Sequence, residues 1–367
     1  MKVYPLLFEP VFKPKLWGDR RLEQLVGKKL PPNELIGESW EIADLQSGQS
    51  IVRNGPARGK TLRQIVVDWG DALVGGAKLV DGSFPVLIKF LTASKPLSVQ
   101  VHPDQAMVNR RGGDCRIKNE AWYVVEAEQG ACIYRGFKKG VDISKLRGAI
   151  DNGSVEDVLH RIPVRKGHAY YLPSGTIHAL GAGVVVAEVQ TPSDTTFRLF
   201  DWDRVDPITG VARALHIEDA LECVSFAPVP LDLEKPQHLA SVWTSITSLV
   251  RCESFVIERV RIVEGAEIEI PHHEMVIWIV LEGRGSIVCD GLDHPVGFGV
   301  GDTLLIPAGT SGAKVTTHAS TMWLEVTVPI ASSLAEFERL NKDALGRIGH
   351  GGSQYVPLTL PDRDRNG

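Results

Sequence analysis

The chain has few cysteines, no long apolar run and no excess of positive charge. Its 5 Cys among 367 residues stand at 115, 132, 223, 252 and 289, scattered and without a C-x-x-C pair. That argues against a disulfide framework and for reduced thiols in a cytosolic protein. Nowhere do about eighteen apolar residues run together, so no membrane-spanning helix is expected. Residues 1–18 are broken by Pro5, Pro10 and Pro14 and have no apolar leader core, so no export signal is expected. A net charge of −5 excludes a general nucleic-acid surface and leaves phosphate recognition to local groups. The expectation is a soluble, cytoplasmic protein that binds a small molecule, as a monomer or small homo-oligomer.

What is present is ordinary globular material: 43% hydrophobic and 23% charged residues, enough to bury the cores of two domains. Short strands are predicted around Glu38–Ala43 and Ile51–Arg53, and a helix over Lys60–Leu73, where Leu62, Ile65, Val66 and Trp69 recur at helical spacing. Phe84–Leu91 reads as a buried strand with Lys89 as its one charge. Asp142–Ile162 reads as two short helices broken at Asn152-Gly153, with Asp142 and Ser154 as N-caps. Another short helix is predicted over Leu215–Val224, and the Pro-rich Ala227–Pro236 as a linker. Beyond it, short strands separated by Gly turns imply a sandwich or barrel. Ser332–Asn341 is expected to close the fold as a helix, and Gly349–Gly367 to be a mobile tail. The domain expectation is therefore 1–230 with a helical insert near 142–162, then 237–330, then 331–367.

The chemistry gathers around Leu97–Asp104. Polar and β-branched residues alternate there, so Ser98, Gln100 and His102 share one strand face until Pro103 ends the ladder. Alone, Gln-x-His is more often a hydrogen-bonded polar face than a metal site. Two further stretches change that. Lys118 and Glu120 share a face in Lys118–Val125, and His178 follows the Pro173-Ser174-Gly175 turn. Gln100, His102, Glu120 and His178 would supply two nitrogens and two oxygens with room for substrate. That open set suits one Zn²⁺ per chain, with Fe, Mn or Co compatible by ligand type.

An internal repeat is visible. Gly167-x5-Pro173-x-Gly175-x2-His178 has a counterpart in Gly301-x5-Pro307-x-Gly309-x2-Gly312, where glycine replaces the histidine. His272-His273-Glu274 lies near the place of a first metal motif. Adjacent residues on a strand face opposite ways, so the second half is expected to repeat the fold without a metal site.

The Gly-x5-Pro-x-Gly-x2-His spacing resembles the second signature of cupin barrels. With Phe84–Leu91, Leu97–Asp104, Lys118–Val124, Pro173–Gly181, Thr196–Arg204, Leu16-Trp17-Gly18 and Gly37–Glu41, the chain resembles type I mannose-6-phosphate isomerases of the shorter bacterial form. The likeness is strong over about the first 205 residues and holds only in outline beyond. It implies a mainly β fold of two cupin, jelly-roll-like barrels with short helical insertions, the second barrel degenerate. It also implies zinc on Gln100, His102, Glu120 and His178, active-site roles for Lys118 and Arg198, and phosphate binding at Ser98. Leu180 stands where longer members carry an aromatic, which puts any tyrosine-assisted role in doubt.

Aldose–ketose isomerisation moves a proton between C1 and C2 of an open-chain sugar phosphate. It needs an electrophile, a base and a grip on the phosphate. Lys118 beside a divalent cation suits acid–base work, or else pairs with a carboxylate and orients the ligand shell. Arg198 fits a phosphate clamp, a stabiliser of the enediolate, or a structural partner of Asp201 or Asp203. Lys89 is a further phosphate candidate. Two other classes stay open. One is a metal-dependent oxygenase, which oxygen uptake would reveal; the other is a non-catalytic sugar-binding module, which has no need of Lys118 and Arg198 beside a full ligand set.

Overall fold

The computed structural model describes residues 2–206, 209–231, 237–270 and 273–330. Its strands form antiparallel sheets of eight, six, five and four strands, with a further two-stranded hairpin. The six-stranded sheet runs Ala169–Leu172, Glu120–Ala127, Val184–Gln190, Leu87–Ala93, Ile36–Ile42, Val11–Asp19. The five-stranded sheet runs Leu159–Pro163, Cys132–Phe137, His178–Leu180, Val99–Val101, Phe197–Phe200.

The second half repeats this path. The eight-stranded sheet contains, side by side, Thr303–Ile306, Val276–Glu282, Thr321–Thr327 and Val256–Ile262. The four-stranded sheet runs Val296–Gly299, Arg284–Val288, Lys314–Thr317, Glu267–Glu269. Strand for strand, this is the order of the first four strands in each sheet of the first half. The N-terminal strand Leu6–Glu9 joins the eight-stranded sheet, with Leu6 opposite Leu305 and Leu7 opposite Leu304.

Side-chain alternation orders the layers. In Leu87–Ala93 and Val184–Gln190 every residue is buried. One face of the six-stranded sheet, with Ile88, Phe90, Tyr123, Val185 and Val189, shares a core with Ile257, Ile277, Leu305 and Val326 of the eight-stranded sheet. The two large sheets therefore lie back to back, as a period of two requires when both faces of a strand are covered. Each large sheet has a smaller one on its outer face. The eight- and four-stranded sheets enclose an apolar cluster. The six- and five-stranded sheets also enclose an apolar cluster, with Leu91, Trp122, Ile133, Leu180 and Val186, and beside it a set of buried polar groups.

The two closed cupin barrels expected from the sequence are not what forms. Every sheet is open: the first and last strands of each do not pair with one another. Barrel closure needs edge strands to hydrogen-bond across the seam. Here helices cover edges of the five-stranded sheet instead. Leu146 and Val155 pack with Leu159 at one edge, and Ala220 and Leu221 with Phe197 and Leu199 at the other.

Several local expectations are also revised. The predicted helix over Lys60–Leu73 is two helices, Leu62–Trp69 and Asp71–Val74. Thr61 and Gln64 form a capping box at its start. Gly70 separates the two at φ 48°, ψ −126°, a conformation that favours glycine. Ile143–Asp151 is helical, with Asp142 accepting from Lys145 N, but Ser154 makes no side-chain cap. After it come one 3-10 turn, Val155–Val158, and the edge strand Leu159–Pro163. Ser332–Asn341, the tail and His272 lie outside the described residues. Among the described residues, no helix is long and apolar enough to cross a membrane, and all five cysteines are free.

Candidate metal centre and active site

The polar cleft is built from two facing rows of side chains. On the five-stranded sheet, Arg135 lies opposite His178, His178 opposite Gln100, and Gln100 opposite Arg198. Directly opposed residues project from the same face, so these four form one row. The strand predicted over Leu97–Asp104 is only Val99–Val101. His102 follows it, its backbone carbonyl accepting from Gly175 N at 2.8 Å. On the six-stranded sheet, Glu120 opens its strand opposite Gln190 and Leu172. Trp122 lies opposite Glu188, and Glu188 opposite Lys89.

Where the rows meet, His102, Glu120 and His178 are all buried, and their donor atoms lie within 4.8 Å of one another. His178 Nε2 is 2.8 Å from Glu120 Oε1, and His102 Nε2 is 3.2 Å from Glu120 Oε2. The other ring nitrogens face carbonyls: His178 Nδ1 is 2.8 Å from Thr176 O, and His102 Nδ1 is 3.1 Å from Thr195 O. A carbonyl only accepts, so each Nδ1 carries the proton and donates. Each Nε2 is then a lone pair aimed at the carboxylate. Both Glu120 oxygens are buried and accept no well-formed hydrogen bond. Two ring nitrogens and a carboxylate converging in a buried pocket, with Lys118 Nζ at 2.9 Å from Glu120 Oε2, are donors suited to a metal ion. Carbonyls on Nδ1 are the usual outer support of metal-binding imidazoles. The cluster has the donors and geometry for a single divalent metal, and two nitrogens with a carboxylate suit zinc.

The electrostatics agree. Burial, with the Lys118 charge adding to it, pulls the His102 imidazole down to about 3, so the ring is neutral and free to ligate. Burial alone would raise the Glu120 carboxyl. The Lys118 charge outweighs it and holds Glu120 well below the usual carboxylate range.

The other expected site residues sit around this cluster. Gln100 Nε2 is 3.4 Å from His178 Nε2, and Ser98 Oγ is 3.5 Å from Gln100 Oε1. A half-turn of the amide exchanges its oxygen and nitrogen and turns an oxygen donor toward the cluster. Lys118 Nζ is 2.9 Å from Glu120 Oε2 and 3.2 Å from His102 Nε2. Lys89 is enclosed. Its Nζ lies 3.2 Å from Glu188 and 3.9 Å from Glu38, with the Trp40 ring centroid at 5.1 Å. Arg198 donates to Ala214 O at 2.8 Å, while its Nε is buried without a partner. Asp201 is held by Arg204 and Arg213 rather than by Arg198. Burial, and then the Arg213 charge, lower the Arg198 guanidinium from its ordinary value.

Sequence reasoning missed the supports of this cleft. Glu188 accepts from Trp122 Nε1 at 2.9 Å, and Glu38 from Trp40 Nε1 at 2.7 Å. Burial opposes ionisation of Glu38, but Lys89, Lys15 and the Trp40 bond outweigh it and bring its carboxyl to about 2. The available signal was Glu188 itself, the one charge in the apolar run Val184–Gln190. Arg135, bonded to Tyr171 O and Pro230 O, carried no local signal.

Comparison with known proteins places this cleft in context. The family profile of phosphomannose isomerase type I, catalytic domain, matches residues 6–131. A mannose-6-phosphate isomerase of Bacillus subtilis (strain 168) is 33% identical over 319 residues, covering 87% of this chain and 98% of that protein. The chain belongs to the type I phosphomannose isomerases. A mannose-6-phosphate isomerase of Streptococcus mutans is 35% identical over 308 residues, 83% of this chain and 92% of that one. The crystal structure of the mannose 6-phosphate isomerase from Bacillus subtilis superposes with a TM-score of 0.79 at 31% identity, covering 89% of this chain and all of that one.

Proposed function

We propose that this chain interconverts mannose 6-phosphate and fructose 6-phosphate by metal-assisted proton transfer between C1 and C2. The observation that carries this reading is the buried His102–Glu120–His178 cluster, with both Nδ1 atoms committed to carbonyls and both Nε2 lone pairs facing the carboxylate. Gln100 completes the set as a fourth, neutral oxygen donor. A divalent ion bound there polarises a carbonyl oxygen and offsets the negative charge that develops on it.

The residues divide the remaining work. Lys118 Nζ, fixed between Glu120 and His102, reaches the reacting carbons and moves the proton between them. Arg198, in one row with Gln100 and His178, faces the substrate with an unmatched guanidinium N–H and holds an anionic oxygen. Ser98 donates to the substrate from the same strand. The paired Lys89 and Glu188, packed against Trp40 and Trp122, keep the floor of the cleft polar and dry. In this reading residues 1–230 carry the reaction, and 237–330 form a second unit without a metal.

A coupled assay of mannose 6-phosphate conversion tests the reading. Activity should vanish on chelation and return with about one equivalent of zinc per chain. Undiminished activity in metal-free protein, or oxygen uptake on adding substrate, would overturn it.

A further inference from the structure

A second group of charges stands at the edge of the same cleft, and the reaction as derived does not use it. Asp201 is 5% exposed and accepts from two guanidinium groups. Arg213 reaches it through Nε at 2.8 Å and Nη2 at 2.5 Å, and Arg204 through Nη2 at 2.5 Å. Both guanidiniums lie over the buried Trp17 ring, Arg213 at 4.8 Å and Arg204 at 5.9 Å from its centroid. Arg204 is fully committed, because its Nη1 also donates to Pro96 O at 2.5 Å. Arg213 is not. Its side chain is 22% exposed, and its Nη1 donates to nothing among the described residues.

The segment that carries Arg213 also fixes Arg198. Arg198 Nη1 donates to Ala214 O, His216 N donates to Arg198 O at 2.7 Å, and Arg198 N donates to His216 Nδ1 at 3.2 Å. Two guanidiniums thus share one carboxylate and Arg198 adds a third charge that Asp201 does not hold, beside the row that includes Gln100 and His178. A purely structural cluster would be neutral, because leaving buried or half-buried charge unpaired is costly. Two guanidiniums with unmatched N–H groups, Arg213 at Nη1 and Arg198 at Nε, match a phosphate group held by several oxygens at once.

We propose that Arg213, positioned by Asp201 and laid on the Trp17 ring, is a specificity-determining residue that grips the phosphate of the sugar phosphate, with Arg198 between it and the metal cluster. The inference rests on the isomerase reading above and extends it to the choice of a phosphorylated over a free sugar. Asp201 is a positioning residue: it aims the fork and touches no substrate.

The test uses the full zinc-loaded chain and the variants Arg213→Ala, Arg213→Lys and Asp201→Asn. Arg213→Ala should raise KM for mannose 6-phosphate by about 10- to 100-fold while kcat stays within about threefold, the pattern of a lost ground-state grip. Inhibition by inorganic phosphate should weaken by a similar factor, with zinc content unchanged. Arg213→Lys should recover only a small part, since an ammonium does not replace the fork. Asp201→Asn should fall between parent and Arg213→Ala. If Arg213→Ala does not fold, Arg213→Lys decides by the same two readouts. A fall in kcat with KM and phosphate inhibition unchanged, or no change in any of them, overturns the proposal. Should the parent protein not convert mannose 6-phosphate, the isomerase reading fails separately. Calorimetric titration of inorganic phosphate into parent and Arg213→Lys protein then still tests the grip, and equal binding by both overturns it.

Discussion

The two sheet pairs follow the same path and each encloses an apolar cluster, but among the described residues only the first also holds a buried donor cluster. Register aligns them: Leu172 opposes Glu120 as Ile306 opposes Val276, and Trp122 opposes Glu188 as Trp278 opposes Glu325. The tryptophan–glutamate bond survives in both halves, Trp122 Nε1 to Glu188 at 2.9 Å and Trp278 Nε1 to Glu325 at 3.0 Å. Everything that binds a cation has changed around it. By the same register, Val276 stands for the ligand Glu120, Glu258 for Lys89 and Trp323 for Val186, while the sequence repeat sets Gly312 against His178.

Trp323 stacks on Trp278 with ring centroids 4.2 Å apart and packs with Phe298, where the first pair has Val186 and Trp122 in an apolar cluster of its own. Gly312 adopts φ 61°, and a Cβ there would meet Asp290 Oδ1 at 2.6 Å, so no histidine fits without rebuilding the turn. The difference teaches what the fold needs and what the chemistry adds. The sheets and the Trp–Glu bond stand without the donor set, which the second half lacks at Val276 and Gly312.

Removing the donors should have the largest effect. His178→Ala or Glu120→Gln should abolish zinc retention through dialysis and activity with it, because the carboxylate charge offsets desolvation of the cation. His273→Ala should change neither quantity. Equal zinc loss from both groups, measured by metal analysis, would break the contrast between the halves.

Emptying the second interior comes next. Trp323→Ala removes a ring that is 2% exposed and should cost about 3–5 kcal/mol in denaturant unfolding. The folded fraction should isomerise normally. A specific loss of kcat would mean that the second pair shapes the first.

Lys118→Ala should leave zinc in place and cut kcat by about 10²-fold, the scale of a lost acid–base group. An effect on KM alone would move Lys118 from proton transfer to substrate anchoring.

The smallest effect is confined to acid. The Glu38 carboxyl is lowered to about 2 in the folded chain, so its contribution is present above its ordinary range near pH 4.5. It is lost as pH falls from there toward 2. Melting temperatures measured from pH 6 to pH 2 should fall less steeply in Glu38→Gln than in the parent. Identical slopes would assign the acid limb to other carboxylates.

The donor set was legible because its signals are local. Gln100 and His102 share a face by alternation, Pro103 stops their strand, and the Pro173–Gly175 turn delivers His178. The buried pairs that line the cleft were not legible, because Glu188, Lys89 and Trp122 meet only through strand register, which separations of about 65 residues and more do not reveal. The two barrels failed for a related reason. Turn spacing reports how many strands there are, whereas closure depends on what covers the edges, and here helices from the insert and from Ile217–Cys223 do so. The predicted helix over Lys60–Leu73 was divided at Gly70, whose backbone its apolar spacing could not foretell.

The strand Leu6–Glu9 has a consequence for how the chain comes off the ribosome. Its partner, Thr303–Ile306, is made about 300 residues later, so for most of synthesis the first strand has no partner at that edge. Contacts of such long sequence separation form slowly and leave sticky edges exposed in the meantime. Deleting Leu6–Glu9 should leave the finished sheet two strands short, because Ile51–Val52 joins it only through that strand.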